Sequence, residues 1–225
     1  NNTEFISEVI TGLVDLSAPQ LFGTPLPTNG ILSAGEDLKV SFNENIFYNP
    51  AVSTIEIKGQ TNQFDLLGAG IGGNKIYDLY LRLEREVLDK APNVVVIWVG
   101  VNDVWHKSMM GTGTDYDKFG LFYDAVVQKI QAKGAKVILV TPAVIGERND
   151  QSNPQDGELN LYAKWIRQYA AQKQLTLVDC RKLFLDYSIK NNPKQLDKGF
   201  LTYDRVHLND AGNQLVADAM WEAIK

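Results

Sequence analysis

An aspartate and a histidine stand three residues apart near the carboxyl end of the chain, in the stretch Tyr203–Asn209. A carboxylate at this spacing in a loop can fold back and accept the N–H of the imidazole Nδ1, which leaves Nε2 free to act as a base. A single histidine is more often structural, but this one has polar neighbours, precedes a predicted helix and has a carboxylate within bonding reach. We therefore predict that His207 is a general base and that Asp204 orients it.

Glycines are concentrated in a second stretch, Gly68–Asn74, between a predicted strand and a predicted helix. Backbone N–H groups at such a turn can bind an anion or an oxyanion that develops during a reaction. The spacing of Gly68, Gly70 and Gly73 also matches a dinucleotide-binding fingerprint. That fingerprint needs an acidic residue about 20 residues further on, whereas the next predicted strand ends about 30 residues on. The stretch thus favours an oxyanion-binding turn, and a simple tight turn stays open as the alternative.

Asn102 and Asp103 follow the most apolar run of the chain, Val94–Val101. An asparagine at this place can present its side-chain N–H to an oxyanion, and Asp103 can cap the turn or bond neighbouring backbone. Taken alone, such a pair in a loop is more often ordinary turn chemistry, and the oxyanion role stays open beside it. The other histidine, His106, has no acidic partner comparable to Asp204, and we predict a surface or substrate-lining position for it.

The elements that must position these residues alternate between strands and helices from residue 64 onward. Continuous apolar strands of this kind are typical of a parallel sheet that is covered on both faces. Such a sheet gathers the loops at the carboxyl ends of its strands, where ligands bind. The predicted strands are Phe64–Ala69, Asn93–Gly100, Ala135–Thr141 and Leu175–Cys180, and the predicted helices span about 75–90, 116–133, 157–174 and 209–224.

The first 62 residues have a different pattern. Apolar and polar residues alternate in Leu38–Phe42 and again in Ile55–Lys58, which is the period of half-buried strands, and prolines mark the turns between them. We therefore predict two domains, a β-rich segment over residues 1–62 and an α/β domain over residues 63–225.

Composition narrows the classes of partner. The 225 residues carry a net charge of −5 and contain one cysteine and two histidines. An acidic chain without a basic cluster is a poor match for nucleic acid, and the longest apolar run is far shorter than the roughly 20 residues that span a bilayer. Too few histidines and cysteines are present for a zinc site of several such ligands. We expect no metal, no cofactor and no signal peptide in the given chain, and small neutral substrates remain open.

Three of these motifs together resemble a known family. Gly73 with Arg82, Gly100-x-Asn102-Asp103, and Asp204-x-x-His207 before the last helix are similar to blocks II, III and V of the SGNH (GDSL) ester hydrolases, over about residues 64–225. The resemblance implies a flavodoxin-like three-layer α/β/α sandwich. It also implies that Gly73 and Asn102 are oxyanion-hole donors, that His207 is the general base and that Asp204 is its orienting acid.

Block I of that family, Gly-Asp-Ser-Leu with the nucleophilic serine, is not found. The nearest string, Gly35-Glu36-Asp37-Leu38, has Asp37 in place of the serine and precedes an alternating strand. Residues about 15–62 resemble part of an immunoglobulin-like module of bacterial surface proteins instead. The nucleophile is therefore unassigned, since Ser33, Ser41, Ser53 and Ser108 fit turn, strand or exposed-loop positions.

The absence of block I also leaves the central position of the sheet without its usual strand. In the strand order 2-1-3-4-5 the first strand lies between the second and the third, and an empty position would leave buried backbone groups unpaired. The candidates to fill it are Leu38–Phe42, Ser53–Lys58 and Glu8–Leu13.

The leading functional hypothesis is a secreted or surface-associated ester hydrolase, of the acylhydrolase, esterase or lipase type. It would cleave a small or carbohydrate acyl ester through Ser-His-Asp chemistry. The alternative is a non-catalytic surface binding or adhesion protein on a degenerate hydrolase scaffold, and a nucleotide-binding protein is a more distant third. The oligomeric state is open.

Overall fold

The computed structural model describes residues 54–58 and 63–224. These residues belong to two units, a β-hairpin and a larger α/β unit that begins at Gly73. The predicted immunoglobulin-like segment lies outside the described residues except for Thr54–Lys58, as do the candidate strands Leu38–Phe42 and Glu8–Leu13. The immunoglobulin-like module and the domain boundary at residues 62 and 63 therefore stay predictions.

The hairpin pairs β1 (Thr54–Lys58) with β2 (Gln63–Leu67) in antiparallel register, with Thr54 opposite Leu67 and Lys58 opposite Gln63. The strand expected from the alternation at Ile55 and Ile57 is confirmed. A strand is also found near the predicted Phe64–Ala69, but its assignment to the parallel sheet is wrong. Only four residues separate β1 from β2, and parallel neighbours need a crossover of about a dozen residues or more.

The larger unit contains a parallel sheet in the order β3 (Val94–Trp98), β4 (Lys136–Val140) and β5 (Thr176–Val178). The helices between and after these strands are α1 (Ile76–Glu86, followed by a 3₁₀ turn at Leu88–Lys90), α2 (Val101–Met110), α3 (Tyr116–Ala132), α4 (Asp156–Lys173), α5 (Cys180–Asn191) and α6 (Asp210–Ile224). The predicted α/β class is confirmed.

Two hydrophobic cores lie on opposite faces of this sheet. Val137 and Leu139 of β4 belong to a core with residues of α1, α3 and α4, whereas Ile138 and Val140 belong to a second core with residues of α5 and α6. Successive strand residues point to opposite faces, so this alternation shows helices packed on both sides. The result is three layers, as the family resemblance implies.

Two helices differ from expectation. The stretch from Gly100 to His106 was predicted to be a loop, but α2 begins directly at Val101 and buries Asp103, Val104 and His106. Helix α5 was not predicted at all, although Asp179 caps it by accepting the Lys182 N–H at 3.2 Å. None of the helices in the described residues is long and apolar enough to cross a bilayer.

Candidate active site

Asp204 and His207 lie on a tight loop that closes on itself. At its base the Asn209 N–H donates to Leu201 O at 3.0 Å, and the Tyr203 N–H donates to His207 O at 2.9 Å. Asn209 also caps α6, because its Oδ1 accepts the Gly212 N–H at 3.0 Å. The loop is therefore fixed at both ends, by its own backbone and by the start of the last helix.

Within this loop the two predicted side chains bond directly. His207 Nδ1 lies 2.7 Å from Asp204 Oδ2, and Asp204 Oδ1 accepts the backbone N–H groups of His207 and Val206 at 2.9 and 3.1 Å. Partial burial raises the pKa of Asp204, but the hydrogen bonds from the His207 ring and the two N–H groups outweigh burial and hold this pKa below its ordinary value. An ionised Asp204 keeps the imidazole proton on Nδ1, so the lone pair is on Nε2.

The glycine turn and Asn102 also meet. The Asn102 side-chain Nδ2 donates to the backbone O of Asn74 at 3.2 Å, directly after Gly73. An amide nitrogen has two N–H groups, so one remains for a ligand. Gly73 has a φ of 79°, which favours glycine, and its N–H has no acceptor among the residues that the structure describes. Two N–H donors are thus available at this turn.

Three side chains form hydrogen bonds with the glycine turn or with the start of the helix that follows it. Lys75 Nζ donates to Gly73 O at 3.1 Å, and Arg82 Nε donates to Asn74 Oδ1 at 2.7 Å. Asp103 is fully buried, and its Oδ1 accepts the N–H of Ile76, the first residue of α1, at 3.1 Å. Burial raises the pKa of Asp103 despite this hydrogen bond. Asp103 therefore bonds backbone, but that of a residue 27 positions earlier in the chain rather than the neighbouring backbone that was predicted.

Helix α2 connects the glycine turn with the Asp204–His207 loop. Asn102, in its first turn, bonds Asn74, and Trp105 lies one helical turn later on the same side. The Trp105 ring contacts the His207 ring edge to face, with 5.8 Å between the centroids and 76° between the planes. Trp105 is not among the predicted site residues, and its position at i+3 from Asn102 was the available signal.

His106 is buried, so the surface interpretation made for it is wrong. It lies on the inner side of α2 with 7% of its surface exposed, and a Cβ at Gly73 would lie 3.7 Å from its Cε1. Burial, followed by the positive charge of Lys75, lowers the pKa of His106. The His106 ring thus lies next to the glycine turn, and its environment favours the neutral imidazole.

None of the three serines among the described residues forms a hydrogen bond with His207. Ser108 is on α2 rather than in the loop that was predicted, and its hydroxyl donates to Trp105 O at 3.1 Å. Ser188 is buried and donates to Glu147 O, whereas Ser152 lies between β4 and α4, where its N–H donates to Asp150 Oδ1 at 3.0 Å. Ser33, Ser41 and Ser53 lie outside the described residues, so no described residue is identified as the nucleophile.

An imidazole oriented by a carboxylate, on a parallel α/β scaffold with free N–H donors nearby, is typical of acyl-transfer hydrolases. A family model for the GDSL-like lipase/acylhydrolase family matches residues 54–215, and the chain belongs to this family. The SGNH resemblance and the prediction of a carboxylic ester hydrolase are thereby confirmed. This family assignment favours the hydrolase hypothesis over the nucleotide-binding one.

Solved structures of similar proteins are also ester hydrolases. The chain is similar to the acetyl xylan esterase AlAXEase, with 61% identity over 70% of this chain and 80% of that chain and a TM-score of 0.69. It is also similar to Axe2, an acetylxylan esterase from Geobacillus stearothermophilus, with 26% identity over 71% and 72% of the two chains and a TM-score of 0.63. The sequence of an acetylxylan esterase from Geobacillus stearothermophilus is 29% identical over 71% of each chain.

Structures of Axe2 with a serine, a histidine or an aspartate replaced are described as catalytic mutants, and in that protein the aspartate lies three residues before the histidine. Asp204 and His207 have the same spacing. The catalytic roles of Gly73, Asn102, Asp204 and His207 in this chain stay predictions, as does the expectation of no metal or cofactor.

Proposed function

We propose that this protein removes acetyl groups from xylan-type carbohydrates by Ser-His-Asp ester hydrolysis. The observation that carries the proposal is the 2.7 Å contact between His207 Nδ1 and Asp204 Oδ2, on a loop next to Trp105 of α2. The substrate class rests on the similar proteins, which are acetylxylan esterases. An acidic chain also suits a neutral polysaccharide better than a polyanion.

Each predicted residue has one role in this mechanism. His207 Nε2 takes the proton of the attacking serine hydroxyl, and Asp204 stabilises the imidazolium that forms. The carbonyl oxygen of the acetyl group becomes an oxyanion, which the Gly73 N–H and the second N–H of the Asn102 amide bind. The imidazolium then protonates the sugar oxygen as its bond to the acetyl carbon breaks, so that the sugar leaves as a free hydroxyl. Water, deprotonated by His207, next attacks the acetyl-serine and releases acetate, and the serine oxygen takes the proton back.

The test measures acetate release from acetylated xylan and hydrolysis of p-nitrophenyl acetate by the full chain. A fluorophosphonate probe, followed by mapping of the labelled peptide, identifies the serine. His207→Ala should abolish turnover and labelling, whereas Asp186→Asn, a change at an exposed i,i+4 ion pair of α5, should leave both unchanged. Turnover that is the same in His207→Ala and in the unmodified chain would refute the proposal.

A second candidate function is carbohydrate binding without catalysis, and it is favoured by the missing Gly-Asp-Ser-Leu block. This candidate predicts retention on insoluble acetylated xylan that is unchanged in His207→Ala, together with no hydrolysis and no labelling in the unmodified chain. Location outside the cell or at its surface remains a prediction under either function.

A further inference from the structure

A buried carboxylate bonds the chain just before the Asp204–His207 loop. Glu147, with 3% of its surface exposed, accepts the N–H groups of Phe200, Leu201 and Thr202 at 2.9, 3.1 and 2.6 Å. It also accepts the Thr202 hydroxyl. All four donors come from three consecutive residues, and no lysine or arginine of the described chain forms an ion pair with Glu147.

Glu147 is itself held firmly. It ends a run of seven buried residues that follows β4, Thr141–Glu147. Its backbone O accepts from the Asn192 side chain at 3.0 Å and from the Ser188 hydroxyl, and its N–H donates to Asp197 O at 3.0 Å. The carboxylate is therefore a fixed acceptor, against which residues 200–202 are positioned.

The contact continues from Glu147 into the loop. The Thr202 hydroxyl, which donates to Glu147, accepts the Arg205 N–H at 3.2 Å, and the Gly146 N–H donates to Arg205 O at 2.8 Å. Arg205 has a φ of 92°, a conformation that costs a non-glycine residue energy and persists only where its surroundings hold it. Arg205 lies between Asp204 and His207, so its backbone sets the relative position of the pair.

We propose that Glu147 is a positioning residue for catalysis, whose carboxylate anchors residues 200–202 so that Asp204 and His207 meet in the bonded geometry. The expected effect of Glu147 on kcat rests on the proposed function, whereas its effect on the geometry of Asp204 and His207 does not. Glutamine cannot replace Glu147 fully, because one carboxylate oxygen becomes an amide NH₂ group, which is a donor. In one orientation this NH₂ group faces the Phe200 N–H, and in the other it faces the N–H groups of Leu201 and Thr202. Loss of the anchor should weaken the bond between Nδ1 and Asp204 without touching the substrate site.

The kinetic test compares Glu147→Gln with Asp124→Asn, a carboxylate-to-amide exchange on the outer side of α3 and α4, where Asp124 bonds Tyr169. We expect kcat to fall about 10-fold in Glu147→Gln, with KM unchanged, since small displacements of a catalytic group have effects up to about 10²-fold. Asp124→Asn should retain kcat. Equal kcat in the two folded variants would overturn the proposal.

A second measurement does not need activity. The chain has two histidines, so side-chain ¹⁵N NMR at about pH 8.5 resolves both rings. The signals are assigned with His207→Ala. In the unmodified protein His207 should be mainly the Nδ1–H tautomer, and Glu147→Gln should reduce that fraction while His106 stays unchanged. An unchanged His207 tautomer would overturn the positioning role, whether or not the protein is an esterase.

Thr202 provides a matched pair of substitutions in case Glu147→Gln does not fold. Thr202→Val removes the hydroxyl that links Glu147 to the Arg205 N–H, whereas Thr202→Ser keeps it. Thr202→Val should reduce the Nδ1–H fraction of His207 and Thr202→Ser should restore it. If both behave as the unmodified protein does, the link from Glu147 to the loop does not position His207.

Discussion

Replacement of Asp204 by asparagine separates the electrostatic role of this side chain from its structural role. The Asp204 Oδ1 accepts two backbone N–H groups, and the amide oxygen of asparagine can keep both of these bonds. The Oδ2 position becomes an NH₂ group that faces His207 Nδ1. Two donors cannot bond each other, so the imidazole changes to the Nε2–H tautomer and Nε2 can no longer accept a proton.

The expected loss of kcat in Asp204→Asn depends on how exposed Asp204 and His207 are to water. General-base catalysis by a positioned side chain contributes about 10²–10⁴-fold. Because 53% of the His207 side chain and 50% of the Asp204 side chain are exposed, water can replace part of the lost contact. We therefore expect kcat to fall by about 10²–10³-fold, which is about 3–4 kcal/mol of transition-state stabilisation at 1.36 kcal/mol for each factor of ten.

The assay is hydrolysis of p-nitrophenyl acetate, with Asp186→Asn as the control for an aspartate-to-asparagine change on the surface. Asp204→Asn should unfold at the same urea concentration as the unmodified protein within experimental scatter, because the loop keeps its backbone bonds. The double variant with His207→Ala should be no slower than His207→Ala alone, since the two residues act as one unit. Retained turnover in Asp204→Asn, or multiplicative losses in the double variant, would refute this reasoning.

Three further predictions concern the oxyanion donor, pH and the buried ion pair. Asn102→Ala should reduce kcat by about 10²–10³-fold with a small effect on KM. The control Asn191→Ala, at an exposed helix position, should not change kcat. Steady-state kinetics on p-nitrophenyl acetate measure both. The pKa of His106 in the native protein lies below its ordinary value of 6.5, so the unfolded chain binds a proton at this residue more readily. The free energy of unfolding should therefore rise with pH up to about that value. Urea titrations between pH 5 and 7.5 should show a flatter pH dependence in His106→Gln. Arg181→Met leaves Asp156 buried without its 2.6 Å partner and should cost about 3–5 kcal/mol in urea unfolding, partly restored by Asp156→Asn in the same chain.

Much of the fold could be predicted because its signals are local. The strands β3 and β4 are continuous apolar runs, and α3 ends before Gly134, whose φ of 83° is the left-handed conformation expected at that place. Helix α2 was missed because asparagine and aspartate after a glycine favour a turn locally. Its helical form depends on tertiary burial of Asp103, Val104 and His106.

Contacts between distant residues gave no readable signal. Glu147 is an isolated glutamate in a loop, and its donors lie 53 to 55 residues further along the chain. The sequence likewise gave no indication that the Trp105 ring contacts His207 or that β2 pairs with β1 rather than with the parallel sheet. Such partners are chosen by packing, which no local pattern encodes.

The sequence by itself determined the α/β class and the pairing of Asp204 with His207, because helical and strand periods and a three-residue spacing act within a few residues. The tertiary structure alone decided that α2 connects Asn102 and Trp105 to two separate loops, and that Glu147 holds the chain before the Asp204–His207 loop. The physical reason is that hydrogen bonds and ring contacts depend on distances of a few ångströms between residues far apart in the chain. Only the folded packing of helices on the sheet sets those distances.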